Sequence, residues 1–181
     1  MFRNNPEEFI SKVIRLINEQ KATMIVEHIT YTESSEEPYD SNIFTAEKNS
    51  QSFDKAFAAE KAIQDYVFTD GTAELSVERR FAQDLDKADE VCVYAKLPKG
   101  FSIPTPVGNY SPDWAIAFYE GTVKHIFFIA ETKGSMESFD LRRIEEAKIS
   151  CAKKLFNNIS TSNIRYDAVD SYEKLLGIVM K

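Results

Sequence analysis

Residues 110–133 read Tyr-Ser-Pro-Asp-Trp-Ala-Ile-Ala-Phe-Tyr-Glu-Gly-Thr-Val-Lys-His-Ile-Phe-Phe-Ile-Ala-Glu-Thr-Lys. An apolar run opens on Pro112-Asp113, a turn follows at Gly121, and a second apolar run closes on Glu131-Thr132-Lys133. Two strand-length apolar runs around a glycine turn predict an antiparallel hairpin. Side chains alternate along a strand, so Glu131 and Lys133 share a face with Phe127 and Ile129. The pairing register decides whether Asp113 joins them. A three-residue loop Glu120-Gly121-Thr122 pairs Tyr119 with Val123 and Asp113 with Ile129, one diagonal step from Glu131. A two-residue Glu-Gly turn would throw Asp113 to the other face unless a bulge restored it.

Two carboxylates and an ammonium among Trp114, Ile116, Phe118 and Phe127–Ile129 are costly to bury unless they pair or hold a metal. Carboxylate oxygens suit Mg²⁺ or Mn²⁺, and the absence of any His or Cys cluster argues against zinc. The plain alternative is a structural salt bridge at the end of a hairpin.

Asp113, Glu131 and Lys133 match the PD-(D/E)xK nuclease motif. The surrounding stretch Tyr94-Ala-Lys-Leu-Pro-Lys-Gly-Phe-Ser-Ile-Pro-Thr-Pro-Val-Gly-Asn-Tyr-Ser-Pro-Asp-Trp-Ala-Ile, with Ala130-Glu-Thr-Lys-Gly and Glu146-Ala-Lys-Ile-Ser-Cys-Ala, resembles the C-terminal endonuclease domain of the restriction subunit of type III restriction-modification enzymes. The motifs are most specific over roughly residues 74–156, with weaker similarity from Phe9 through Ile43-Phe44-Thr45. The resemblance implies an endonuclease that hydrolyses double-stranded DNA with Mg²⁺, or Mn²⁺ as a substitute, in complex with a methyltransferase subunit that reads the recognition sequence. It also implies a helicase-like motor. No G-x-x-x-x-G-K-[ST] motif occurs here, so any ATP requirement belongs to a motor domain outside this sequence, and the chain is expected to be an excised domain.

The resemblance further implies site roles: Asp113 and Glu131 as metal ligands, the Thr132 carbonyl as an additional ligand, and Lys133 to orient the attacking water or stabilise transition-state charge. Glu78 has its own sequence argument. Leu75, Glu78, Ala82 and Leu85 fall at helical spacing, which puts Glu78 on the apolar stripe of a helix over roughly 74–87, where a carboxylate needs a partner. In similar nucleases a glutamate from this helix joins the metal shell; otherwise Glu78 pairs with a nearby Lys or Arg. The competing functions are a non-catalytic assembly or DNA-binding domain of the same complex and a stand-alone nuclease of the Mrr type.

The net charge of −7 is unusual for a protein that binds DNA, so its distribution matters. Residues 1–70 hold 7 Lys and Arg against 13 Asp and Glu, whereas residues 100–154 hold 7 of each. The acidity therefore lies away from the motif, and Arg142 and Arg143 on the following helix are candidate phosphate contacts. No strong basic patch exists, so weak DNA binding by the isolated chain is expected. The apolar runs are strand-length, and Met1-Phe-Arg-Asn-Asn does not open a signal peptide, so a cytoplasmic location without a membrane span is expected. Cys92 and Cys151 read as reduced, buried thiols. His28 and His125 lack ligand spacing.

The remaining elements follow from pattern. Asn5-Pro6-Glu7-Glu8 starts a helix running to about Gln20. A strand is predicted over Ala22–Tyr31, a polar loop over residues 33–42, a helix over Phe53–Tyr66, and a strand over Glu90–Tyr94. Pro98–Pro106 reads as extended. A helix over about Asp140–Asn157 turns Leu141, Ile144, Ala147, Cys151 and Leu155 inward, and Ile164–Val169 and Tyr172–Met180 form a closing strand and helix. The predicted whole is α/β: an N-terminal helix/strand segment over 1–70, then a restriction-endonuclease-like core over 71–181 whose mixed central sheet is flanked by helices.

Overall fold

The computed structural model describes residues 5–28, 56–69, 76–98, 100–106, 108–123, 127–132, 139–159 and 164–181. Its centre is a sheet of β3 (Val91–Lys96), β4 (Trp114–Phe118), β5 (Phe127–Thr132) and β6 (Ile164–Val169), in that spatial order. The first two pairings are antiparallel and β5 runs parallel to β6. The parallel pair requires a crossover, which α3 (Phe139–Ile159) supplies. This is the mixed, helix-flanked sheet of the predicted class.

Alternation along the strands sorts the apolar residues between two cores. On one face Trp114, Ile116, Phe118, Phe128 and Ala130 meet Phe81, Ala82 and Leu85 of α2 (Val77–Lys87) and Leu175 and Val179 of α4 (Tyr172–Val179). Phe81 and Tyr94 lie 6.0 and 6.1 Å from the Trp114 ring. Phe81→Ala would cost about 3–5 kcal/mol by opening a cavity there. Ser76 caps α2, its Oγ accepting from the Arg79 N–H at 3.4 Å, an interaction worth ~1 kcal/mol. On the other face Ile129 and Tyr166 meet Ile149, Ala152 and Leu155 of α3. Ile103 and Tyr110 complete that core from the proline-rich segment, which folds back so that these two residues exchange backbone hydrogen bonds of 2.7 and 2.9 Å.

The β4–β5 register departs from the expected one. Trp114 pairs with Ala130 and Ile116 with Phe128, a shift of two residues from the three-residue-loop alignment. An even shift preserves the face of every paired side chain, so the buried set is unchanged. In the turn Thr122 closes on the Tyr119 carbonyl through both its N–H (3.2 Å) and its hydroxyl (2.6 Å), with Gly121 at φ 86°.

Two secondary-structure expectations are corrected. The first helix, α1 (Pro6–His28), continues through Ala22–His28, where a strand was predicted. No Gly or Pro interrupts this stretch, and the β-branched residues there are too weak a preference to end a capped helix. Of the helix predicted over Phe53–Tyr66, the described part instead forms β1 (Ala56–Ala58) and the start of β2 (Tyr66–Phe68), an antiparallel pair. Asp86 accepts the Glu60 and Lys61 N–H groups at 3.0 and 2.9 Å, a tertiary anchor for the turn that no local pattern announces.

Both cysteines are free as expected, but only Cys151 is buried; Cys92 is exposed. Residues 33–42 and His125 lie outside the described residues. Among the described residues no helix is long and apolar enough to cross a membrane.

Candidate active site

The hairpin delivers Asp113 and Glu131 to one end of the sheet. Pro112 has no N–H to give to a ladder, and β4 begins two residues later at Trp114. Asp113 is fixed by its backbone, whose N–H donates to the Ala130 carbonyl (3.1 Å) and whose carbonyl accepts from the Leu97 N–H (2.7 Å). Its side chain reaches across to β5. Oδ2 accepts from both the Thr132 N–H (2.8 Å) and the Thr132 hydroxyl (2.7 Å). The Thr132 hydroxyl accepts in turn from Trp114 Nε1 at 3.3 Å, so the buried indole orients the threonine that orients the aspartate.

A charged pair stands beside this carboxylate. The Lys96 ammonium, at the end of β3, pairs with Glu78 Oε1 of α2; the two side chains are only 19 % and 12 % exposed. Lys96 Nζ also lies 5.4 Å from the centre of the Trp114 ring. Glu78 is thus inward-facing on the helical stripe and pairs with Lys96, a residue that no sequence pattern singles out. Burial pushes the Asp113 carboxyl above its ordinary range; the Thr132 hydrogen bonds and the Lys96 charge oppose the rise, and Glu78 adds to it.

Glu131 is held by a different group of residues. Its Oε2 accepts from the Tyr110 hydroxyl at 2.7 Å, and the Tyr110 and Tyr166 oxygens are 2.5 Å apart. Both phenols are buried, which raises their pKa values well above the ordinary phenol and keeps them neutral. The sequence marks none of Lys96, Tyr110 and Tyr166 by spacing. Lys96 shares a face of β3 with Tyr94, but its nearness to Asp113 depends on the Lys96–Trp114 register.

Lys133 lies outside the described residues. Arg142 and Arg143 lie in α3, but their side chains are outside the described set. Among the described residues no group of three His, Cys, Asp or Glu stands ready to hold a metal ion. The donors at the strand ends are all oxygens, which fits a hard divalent cation rather than zinc. Half-buried carboxylates already braced by hydrogen bonds are also the kind of ligand such a cation takes.

Comparison with known proteins decides the family. The profile of an endonuclease domain matches residues 60–172, which span Glu78, Asp113, Glu131 and Thr132. The chain belongs to that family. It is 36 % identical over 107 residues to the Res subunit of the type III restriction-modification enzyme EcoP15I of Escherichia coli, covering 58 % of this chain and 11 % of that subunit. It is 37 % identical over 100 residues to the EcoPI Res subunit of Escherichia phage P1, covering 54 % of this chain and 10 % of the relative. The chain therefore spans about a tenth of the length of these relatives. No solved structure matches it.

Proposed function

We propose that this endonuclease domain is the cleavage module of a type III restriction-modification complex and hydrolyses phosphodiester bonds of double-stranded DNA with Mg²⁺, Mn²⁺ serving as a substitute. One observation carries the reading: within the matched endonuclease region, Asp113 and Glu131 stand at the ends of adjacent strands, each braced by hydrogen bonds. In this reading Asp113 and Glu131 hold the cation, and the Thr132 carbonyl is a further ligand. Glu78 serves as an outer or second-metal ligand once it exchanges Lys96 for the cation. Lys133 orients the attacking water and faces the negative charge that grows on the phosphate oxygens. A bound divalent cation supplies acidification of water and neutralisation of phosphate charge.

Arg142 and Arg143 belong to this proposal as weak contacts to the DNA backbone. So do the partners: a helicase-like motor domain, through which alone ATP enters, and a methyltransferase subunit that reads the sequence. A cytoplasmic location goes with them. The test is plasmid digestion with Mg²⁺ or Mn²⁺ beside the Glu131→Ala protein. The wild type nicks the plasmid slowly and without ATP, and the variant leaves it intact; equal nicking by the two would refute the assignment.

A further inference from the structure

We propose that Tyr110 and Tyr166 form a two-phenol positioning chain that fixes the Glu131 carboxylate for cation binding. The inference rests on the reading of Glu131 as a metal ligand and adds two residues to its support.

Proton counting sets the direction of the chain. A phenol carries one proton. Tyr110 gives its proton to Glu131 Oε2 at 2.7 Å, so the 2.5 Å contact between the two phenol oxygens is Tyr166 donating to Tyr110. Each hydroxyl then has a partner, as burial demands. Tyr166 polarises Tyr110, which strengthens the bond that Tyr110 gives to the carboxylate.

The geometry is rigid at every joint. Tyr110 is 1 % exposed and Tyr166 3 %. The Tyr110 backbone is pinned by its paired hydrogen bonds with Ile103. Tyr166 lies opposite Ile129 in the parallel β5–β6 pair, two residues before Glu131 on the same face. Its ring stacks on Phe156 of α3, centroids 5.3 Å apart at 14°, and meets Tyr110 edge-on at 6.2 Å and 88°. The proline-rich segment, β5, β6 and α3 therefore converge on one carboxylate oxygen. A surface glutamate needing only solubility would have no such support. A ligand that must be in place before the cation arrives needs it.

The test measures Mn²⁺ binding to the full chain by isothermal titration calorimetry, with cleavage and thermal unfolding of the same proteins alongside. Wild type binds and Glu131→Ala does not. Tyr110→Phe binds roughly 10–100-fold more weakly, the usual loss when a ligand's hydrogen-bond partner is removed. Its cleavage returns toward the wild-type rate at saturating Mn²⁺, which a general loss of structure would not allow. Tyr166→Phe shows a smaller loss in the same direction. The double variant Tyr110→Phe/Tyr166→Phe, which leaves no orphaned hydroxyl, matches Tyr110→Phe rather than the sum of the two.

Wild-type affinity in Tyr110→Phe and in the double variant, with Glu131→Ala still unable to bind, overturns the positioning role and leaves the metal site standing. Wild-type affinity in Glu131→Ala, or no binding by wild type, overturns the metal site and the positioning role with it.

Discussion

Asp113 and Glu131 end neighbouring strands, but the structure braces them from opposite faces of the sheet. Asp113 is tied to the α2 face, through Thr132 to Trp114 and through its neighbours Lys96 and Glu78. Glu131 is tied to the α3 face, through Tyr110 and Tyr166. The first environment is charged, with an ammonium and a second carboxylate nearby; the second is a pair of neutral phenols. A hairpin alone could present two acids, but it could not fix their rotamers. Each core fixes one, so the two halves of the site should be separable by mutation.

The largest expected effect tests whether both halves are needed. Asp113→Ala should lose plasmid cleavage as completely as Glu131→Ala, since each removes one of the two braced carboxylates. An Asp113→Ala protein that cuts at wild-type rate would reduce the site to its Glu131 half.

Thr132→Val sharpens the comparison on the Asp113 side. It removes the hydroxyl bond to Oδ2 and the acceptor for Trp114 Nε1, and keeps the backbone N–H bond. A loss of about 1–2 kcal/mol in urea unfolding is expected, because a partly buried carboxylate and an indole N–H each lose a partner. Unchanged stability would mean that the threonine hydroxyl does not brace the aspartate.

The smallest effect is a pH dependence. Burial holds the Asp113 carboxyl above its ordinary value of 3.8, so the folded state retains a proton that the unfolded chain releases. The metal-free protein therefore loses stability as pH rises from that ordinary value through the raised one. Asp113→Asn keeps an acceptor for Thr132 and removes the titration. Its thermal midpoint in chelator should exceed that of wild type near neutral pH, and the gap should close as pH falls below the ordinary value. A gap that widens on acidification would reverse the sign assigned to Asp113.

Much of this was legible in the sequence because it depends on local periodicity. The 2-residue alternation of β4 and β5 and the helical stripe of α3 are written into the residues that form them, and the spacing of Pro112-Asp113 and Glu131 brought the two acids to one end of the sheet. Glu78 was legible as an inward carboxylate for the same reason. What was not legible depends on partners distant in sequence. Lys96 meets Glu78 across 18 positions, and Tyr166 meets Tyr110 across 56. Asp86 overrides a helical pattern in residues 25 and 26 positions away. The register error was invisible in its effect on the faces because it was even.

In the proposed function two carboxylates, braced from opposite faces of one sheet, hold a cation between them. A crystal of the full chain soaked in Mn²⁺, with anomalous diffraction recorded at the manganese edge, tests it directly. The expected result is a peak bonded to both an oxygen of Asp113 and an oxygen of Glu131, with Tyr110 still donating to Oε2. A peak bound to only one of the two carboxylates, or to neither, would contradict it.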